Sequence, residues 1–237
     1  YLTNGIAFLV SLFLLLPFLN KKEADPRKGR SRYALLQEMF AYGLWGSADN
    51  IAEILTTRLN YFMIQRFAGL GSVGLLDAGT KISESVWHIN RSIGFIAYSR
   101  VAQTSNPDEQ KQITLRFFKL TFCAVTLATG CILLIPEWVY TDYLFSAEFA
   151  GMRHVITGLS AGIIALACNS ILCQYFNGSG KIRYSAGSSF TGLISLLVSG
   201  YLLIPYYGVF GSAISSSIAF CGMLAFSMTI FCWKTAT

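Results

Sequence analysis

The chain has 237 residues, of which 54% are hydrophobic and 13% are charged, and its formal net charge is +6 at pH 7. A soluble globular domain carries about 25% charged residues, so this composition excludes a water-soluble fold, whose surface needs more polar side chains. The basic residues cluster between apolar runs, which is typical of membrane orientation and argues against nucleic-acid binding. The six cysteines form no CxxC pair and there are only two histidines, so we expect no metal and no other cofactor.

Apolar runs follow one another along the chain, each long enough to cross or nearly cross a bilayer as a helix. The sequence predicts seven such segments, at about residues 2–19, 37–57 (with a helix that can extend to residue 66), 74–97, 117–135, 154–176, 185–204 and 208–233. The predicted connections are a basic loop at residues 20–36, a break at 69–74, a loop at 99–112, a link at 137–151 and a glycine-rich turn at 177–180.

The fold class predicted from these runs is all-α, a polytopic transmembrane helical bundle. Each run is continuous over about twenty residues, whereas the strands of a membrane barrel alternate over about ten. Only a helix satisfies every backbone amide within such a run. Thirteen Lys and Arg residues lie on one side of the predicted membrane and three lie on the other. This asymmetry predicts that the thirteen lie in the cytoplasm and that the chain ends there.

The third segment carries a row of ionisable residues, Asp77, Lys81, Glu84, His88 and Arg91. Their spacing of four, three, four and three places them on one stripe of a helix, where neighbours such as Asp77 and Lys81 can pair. A charge at the bilayer centre costs about 3 kcal/mol on insertion scales, so the row must face a protein interior or a water-filled cavity. It either lines a substrate path or forms a salt-bridge ladder that only fixes packing.

The second segment places two acids, Asp49 and Glu53, on one helical face, and Arg58 follows one and a half turns later. If the second and third segments are neighbours, these acids can meet Lys81 or Arg91. Two close carboxylates shift each other's ionisation, so that one can hold a proton or a cation. The alternative is that they only neutralise the cations of the next helix.

Two stretches of the sequence are similar to a known family of membrane transporters. Residues 175–213 read YFNGSGKIRYSAGSSFTGLISLLVSGYLLIPYYGVFGSA, with GSGK in a turn, one helix ending in LIPYYG and a small-residue helix start at GSA. Residues 58–81 read RLNYFMIQRFAGLGSVGLLDAGTK. They resemble the C-terminal half of polysaccharide or lipid-linked oligosaccharide flippases (O-antigen, Wzx-like) of the multidrug/oligosaccharidyl-lipid/polysaccharide exporter superfamily. The resemblance covers about Tyr33 to the end.

The resemblance implies a fold of two similar helical lobes that face a central cavity and work by alternating access. It divides the chain into the last helix of a truncated N-terminal lobe at residues 1–19, a basic cytoplasmic linker at 20–36 and a C-terminal six-helix lobe at 37–237. The chain begins inside an apolar run, so we expect a fragment or a truncated gene product that does not transport alone.

The function implied is the flipping of a polyprenyl-pyrophosphate-linked oligosaccharide across the bacterial inner membrane, without enzymatic activity. The residues expected in the substrate path are Asp49, Glu53, Arg58, Asp77, Lys81, Glu84, His88 and Arg91. The cations Lys81, Arg91 and Arg58 would contact phosphates or acidic sugars. The four carboxylates would hold these cations or couple transport to H⁺ or Na⁺, and His88 would titrate near neutral pH.

The partners implied are the lipid-linked oligosaccharide, the bilayer, a coupling ion and the missing N-terminal lobe, and no nucleic acid. Two other functions stay open on the sequence, and a third alternative is a nonfunctional remnant or a scaffold subunit. A cation-coupled multidrug exporter would favour acidic pockets with few cations, which the mixed-sign row opposes. A membrane enzyme of polysaccharide assembly would use a large outer loop, whereas the longest outer link predicted here has about fifteen residues.

Overall fold

The computed structural model describes residues 32–140 and 151–236, and within these ranges the regular structure is entirely helical. The elements are α1 Arg32–Ala68, α2 Leu70–Gln103, α3 Pro107–Leu134, the short α4 Glu137–Val139, α5 Met152–Gly178 and α6 Ile182–Ala236. This confirms the predicted all-α class. The predicted segment 2–19 and the proposed linker up to residue 31 lie outside the described residues, as does most of the link at 137–151.

Three predicted connections are shorter in the structure than in the prediction. Helix α1 already begins at Arg32, inside the predicted basic loop. The break predicted at 69–74 begins at the predicted residue, but it consists of Gly69 alone, with a φ of 85°, and its predicted extension to residue 74 was wrong. The predicted loop at 99–112 shrinks to residues 104–106, because Pro107 starts a helix: Asn106 caps α3 by accepting a hydrogen bond from the Asp108 backbone N–H at 3.0 Å.

Helix α6 consists of two arms, residues 182–207 and 209–236, that join at Gly208. The backbone of Gly208 is not helical (φ 55°, ψ −127°), and Pro205 lies just before it. Across the turn, Gly211 lies against Leu203, and the Ser199 hydroxyl donates to the Ser215 carbonyl at 3.4 Å. These contacts show that the arms fold back on each other as an antiparallel hairpin, as the sequence predicted for two separate segments.

Helix α5 occupies the centre of the compact unit that begins at Tyr42, and it packs against α2, α3 and α6. It runs parallel to α2, since the Asn90 amide donates to the Ala167 carbonyl at 3.2 Å while Gly178 lies against Val101 further along both helices. With α1 and α2 joined at Gly69, the long segments alternate in direction through the bundle.

Because the segments alternate in direction, their connections gather at two opposite ends of the bundle. These two ends differ in charge. The basic end, where α2, α5 and the second arm of α6 terminate, carries Arg100, Lys181, Arg183 and Lys234. The opposite end holds the connections at Gly69, Gly151 and Gly208. Aromatic rings accompany the cations at the basic end: the Arg183 guanidinium lies 5.7 Å from the Trp45 ring centre.

Within the described residues, α3, α5 and α6 are long and apolar enough to cross a membrane, with mean hydropathies of 1.9, 1.9 and 1.7 over their best windows. Their outward side chains are apolar, as in Leu127 and Leu134, which are 72% and 83% exposed. Helices α1 and α2, with 37 and 34 residues, are longer than α3 and α5, but their ionisable residues make them more polar. The chain is therefore membrane-embedded, and its two polar helices hold the charges expected of a site.

Candidate functional site

A polar cavity of about 240 Å³ opens between α1, α2, α5 and α6 in the half of the bundle nearer the basic end. Its charged lining residues are Asp49 and Glu53 from α1 and Arg91 from α2. Uncharged polar side chains from the other helices complete the wall, among them Asn169, Gln174, Asn177, Ser185 and Ser189. This mixed lining inside a membrane bundle makes the polar cavity the candidate site.

A second cavity of about 110 Å³ lies nearer the opposite end and is lined by residues of α1, α2, α5 and the second arm of α6. It includes Asn60, Glu84 and the apolar Phe220. Glu53, Trp87 and Leu166 line both cavities. These three side chains therefore form the boundary between the two cavities.

Asp49 is held by the first arm of α6 through two serine hydroxyls. Ser185 donates to its Oδ2 at 2.7 Å, and Ser189 donates to its Oδ1 at 2.5 Å. Both serines are buried, so their hydroxyls need this acceptor. Asp49 thus anchors α1 to α6 at the wall of the polar cavity, in addition to carrying charge there.

Arg91 is the ionisable residue of α2 that reaches the polar cavity. Its guanidinium lies 5.2 Å from the centre of the Trp87 ring, in a cation–π arrangement. Glu53 and Asp49 line the same cavity. The expectation that the acids of the second segment share a space with a cation of the third therefore holds for Arg91.

The structure does not bring all the predicted path residues together. Lys81 pairs with Asp77 at 2.6 Å, as the spacing predicted, and Tyr61 donates to the other carboxylate oxygen at 3.2 Å. The Lys81 and Asp77 side chains are 70% and 41% exposed, and they line neither cavity. Arg58 is also exposed and lines neither cavity, Glu84 lines the second cavity, and the side chain of His88 lies outside the described residues.

Sequence reasoning missed two buried asparagines that join helices through serines. Asn60 of α1 donates to the Ser216 hydroxyl and accepts from the Ser212 hydroxyl, both at 2.7 Å. Asn169 of α5 accepts from Ser188 at 3.2 Å and from Ser227 at 2.7 Å, one serine from each arm of α6. The signal was present, because a lone amide in an apolar run needs a partner and the facing helices are rich in serine.

We expect the double substitution S212A/S216A to lower the free energy of unfolding by about 1–3 kcal/mol, because it leaves the buried Asn60 amide without its side-chain partners. The loss is measurable as a lower melting temperature of the detergent-solubilised protein. Ser72→Ala is the control, since the exposed Ser72 hydroxyl bonds only to the Ala68 carbonyl of its own turn. Equal melting temperatures for all three proteins would contradict this role of Asn60.

Comparison with known proteins gives two weak similarities. An uncharacterized membrane protein of Methanocaldococcus jannaschii is 21% identical over 197 residues, which cover 82% of this chain and 39% of that protein. A Shigella flexneri protein named "Putative O-antigen transporter" is 22% identical over 191 residues, or 78% of this chain and 44% of that protein. No family model and no solved structure matches. The chain spans less than half the length of these relatives.

Proposed function

We propose that the chain forms most of one lobe of a transporter that moves a lipid-linked oligosaccharide across a membrane by alternating access. One observation carries this proposal: a polar cavity with two carboxylates and a guanidinium lies inside a bundle of membrane helices. Each ionised group costs about 2.5–3.5 kcal/mol at the bilayer centre, so such groups are kept where a substrate or an ion needs them. The name of the Shigella flexneri relative agrees with an oligosaccharide substrate.

The arrangement of charges suits an amphiphilic substrate with a pyrophosphate and a glycan. Arg91 supplies a fork of N–H donors that matches phosphate oxygens, and Trp87 holds it by stacking. Asp49 and Glu53 supply the negative charge for a coupling ion, H⁺ or Na⁺. Lys81 has a smaller role in substrate binding than the sequence predicted, because it already pairs with Asp77 outside the cavities.

The direction of transport follows from the charge of the two ends. Lys and Arg concentrate on the cytoplasmic side of membrane proteins, which assigns the basic end and the C-terminus to the cytoplasm. The polar cavity then loads from the cytoplasm, and the second cavity belongs to the exit half. Movement of the boundary residues Glu53, Trp87 and Leu166 would open and close the connection between the two cavities. The membrane is the bacterial inner membrane on this proposal.

A second candidate is a cation-coupled multidrug exporter, which the same cavity favours in one respect. Its lining holds two carboxylates against one guanidinium, so its formal charge is negative and suits an organic cation. Seven of the thirteen other lining residues carry an amide or a hydroxyl, however, and these groups suit a hydroxylated glycan better than a hydrophobic cation. Loss of the gene distinguishes the two candidates, because surface polysaccharide depends on the first and resistance to cationic dyes depends on the second.

We expect depletion of the complete gene product to abolish surface polysaccharide and to leave lipid-linked repeat units in the cytoplasmic leaflet. Glycan staining of whole cells and mass spectrometry of extracted lipids measure these two effects. Re-expression of the complete gene is the control and restores both to normal. Unchanged surface glycan would overturn the proposal, and unchanged glycan with increased sensitivity to cationic dyes would establish the exporter instead.

A further inference from the structure

We infer that four carboxamide side chains in the wall of the polar cavity form a separate binding site for one uncharged sugar ring. These residues, called the amide subsite below, are Asn50, Asn169, Gln174 and Asn177. The inference rests on the proposed function and adds to it a division of the cavity: the amide subsite holds sugar, and Arg91 holds phosphate.

Asn169 is the central residue of the amide subsite, because hydrogen bonds to its Oδ1 fix the side chain while its Nδ2 donates to no described residue. The residue is only 4% exposed. Its Oδ1 accepts the Ser188 and Ser227 hydroxyls, which orients the side chain from both arms of α6. Its Nδ2 donates no hydrogen bond to any described residue, although the side chain lines the polar cavity. A buried amide that presents free N–H groups to a cavity is a site for an oxygen acceptor.

The other members of the subsite lie beside Asn169. Asn177 follows it by eight residues on the same face of α5, about 12 Å along the helix axis. The Asn177 Oδ1 is buried and has no partner within the described part of the chain. If the two amides are as far apart as this helical rise, hydrogen bonds of about 2.9 Å at each end leave about 6 Å for the ligand, enough for one pyranose ring. Gln174, beside Gly94 of α2, and Asn50 of α1 flank this space and form no hydrogen bond with described residues.

The chemistry of carboxamides selects the class of ligand. A carboxamide both donates and accepts, and so does a sugar hydroxyl or an acetamido group. A phosphate only accepts, and it is bound best by cations such as Arg91. The amides therefore favour the neutral sugar, and the nearby Asp49 repels an anion from the same place. A ligand divided between these two regions carries both a sugar and a phosphate.

Cys173 provides a reporter for the test, because it lies midway between Asn169 and Asn177 and lines the same cavity. The complete protein is prepared with Cys173 as its only cysteine, in inside-out membrane vesicles, and is labelled with N-ethylmaleimide. The probes are glucose, galactose and N-acetylglucosamine, with inorganic pyrophosphate as the charged probe. At ten times its Kd, a sugar that occupies the subsite slows labelling about tenfold.

We expect at least one sugar to protect Cys173, Asn169→Ala and Asn177→Ala to abolish that protection, and Arg91→Gln to leave it intact. Protection by pyrophosphate should show the reverse dependence. Asn60→Ala is the matched control, since it also removes a buried asparagine held by two serines, but outside the polar cavity. Because Asn177 Oδ1 has no partner to lose, Asn177→Ala tests the subsite even if Asn169→Ala misfolds.

The inference is overturned if no sugar protects Cys173, or if sugar protection survives in Asn177→Ala. It is also overturned if pyrophosphate protection disappears with Asn177 rather than with Arg91. These failures are distinguishable from failure of the proposed function, because the depletion experiment reads polysaccharide transport directly. A transporter that still exports polysaccharide but shows no protection of Cys173 would retain its function and lose only the amide subsite.

Discussion

Replacing Arg91 with glutamine is expected to reduce oligosaccharide transport by at least about tenfold while the protein stays in the membrane. A hydrogen bond to a charged group contributes about 1.5–3 kcal/mol, and each 1.4 kcal/mol corresponds to a factor of ten. Among the described residues that line the polar cavity, Arg91 is the only Lys or Arg. Its loss leaves Asp49 and Glu53 in the wall without their cation, so an anionic pyrophosphate is also repelled.

The measurement is surface polysaccharide in cells that express the variant at the level of the wild-type protein. Arg58→Gln is the matched control, since Arg58 is exposed and lines neither cavity, and we expect it to transport normally. Lys81→Gln is also expected to transport close to normally, because it breaks only an exposed pair with Asp77 that lines neither cavity. Normal transport in Arg91→Gln would remove Arg91 from the mechanism.

Adding a single methyl group at Gly162 is expected to destabilise the bundle by about 1–3 kcal/mol, the usual cost of overpacking a close interface. A Cβ at this position would lie 2.6 Å from both the Cα and the Oγ of Ser217 in the second arm of α6. The backbone of Ser217 cannot move away freely, because its hydroxyl donates to the Gly158 carbonyl at 2.5 Å. Gly162 therefore sets how closely α5 and α6 approach.

Gly130→Ala is the control for this effect, because nothing lies within 4 Å of a Cβ at Gly130 in α3. Alanine is about 1 kcal/mol better than glycine inside a helix, so this change is expected to be neutral or stabilising. In thermal denaturation of the two detergent-solubilised variants, only Gly162→Ala should lower the melting temperature. A melting temperature for Gly162→Ala at or above that of the wild-type protein would contradict the close approach.

The helices were largely predictable from the sequence because their causes are local. Long apolar runs forced helices, and Pro205 with Gly208 marked the turn between the last two segments. The errors are also local in origin. The predicted loop at 99–112 includes Pro107, although its fixed φ suits the first position of a helix. The glycines after Gly69 suggested a wider break, although glycine only weakens a helix by about 1 kcal/mol.

The site was only partly predictable because it depends on distant packing. The pair of Asp77 with Lys81 follows from a spacing of four and was foreseen. By contrast, the serine partners of Asp49 are 136 and 140 residues away, and no periodicity in the sequence connects them. A spacing rule places residues on one stripe of a helix, but the facing helices decide which part of that stripe meets a cavity.

The single-residue turn at Gly208 has a consequence for biogenesis. The buried Ser199 hydroxyl of the first arm of α6 donates to the Ser195 carbonyl of its own turn at 2.6 Å, and it reaches the Ser215 carbonyl of the second arm at 3.4 Å. Released alone into acyl chains, that arm would lose this contact and the close packing of its small residues. Because Gly208 alone separates the two arms, we expect them to enter the membrane together as a helical hairpin.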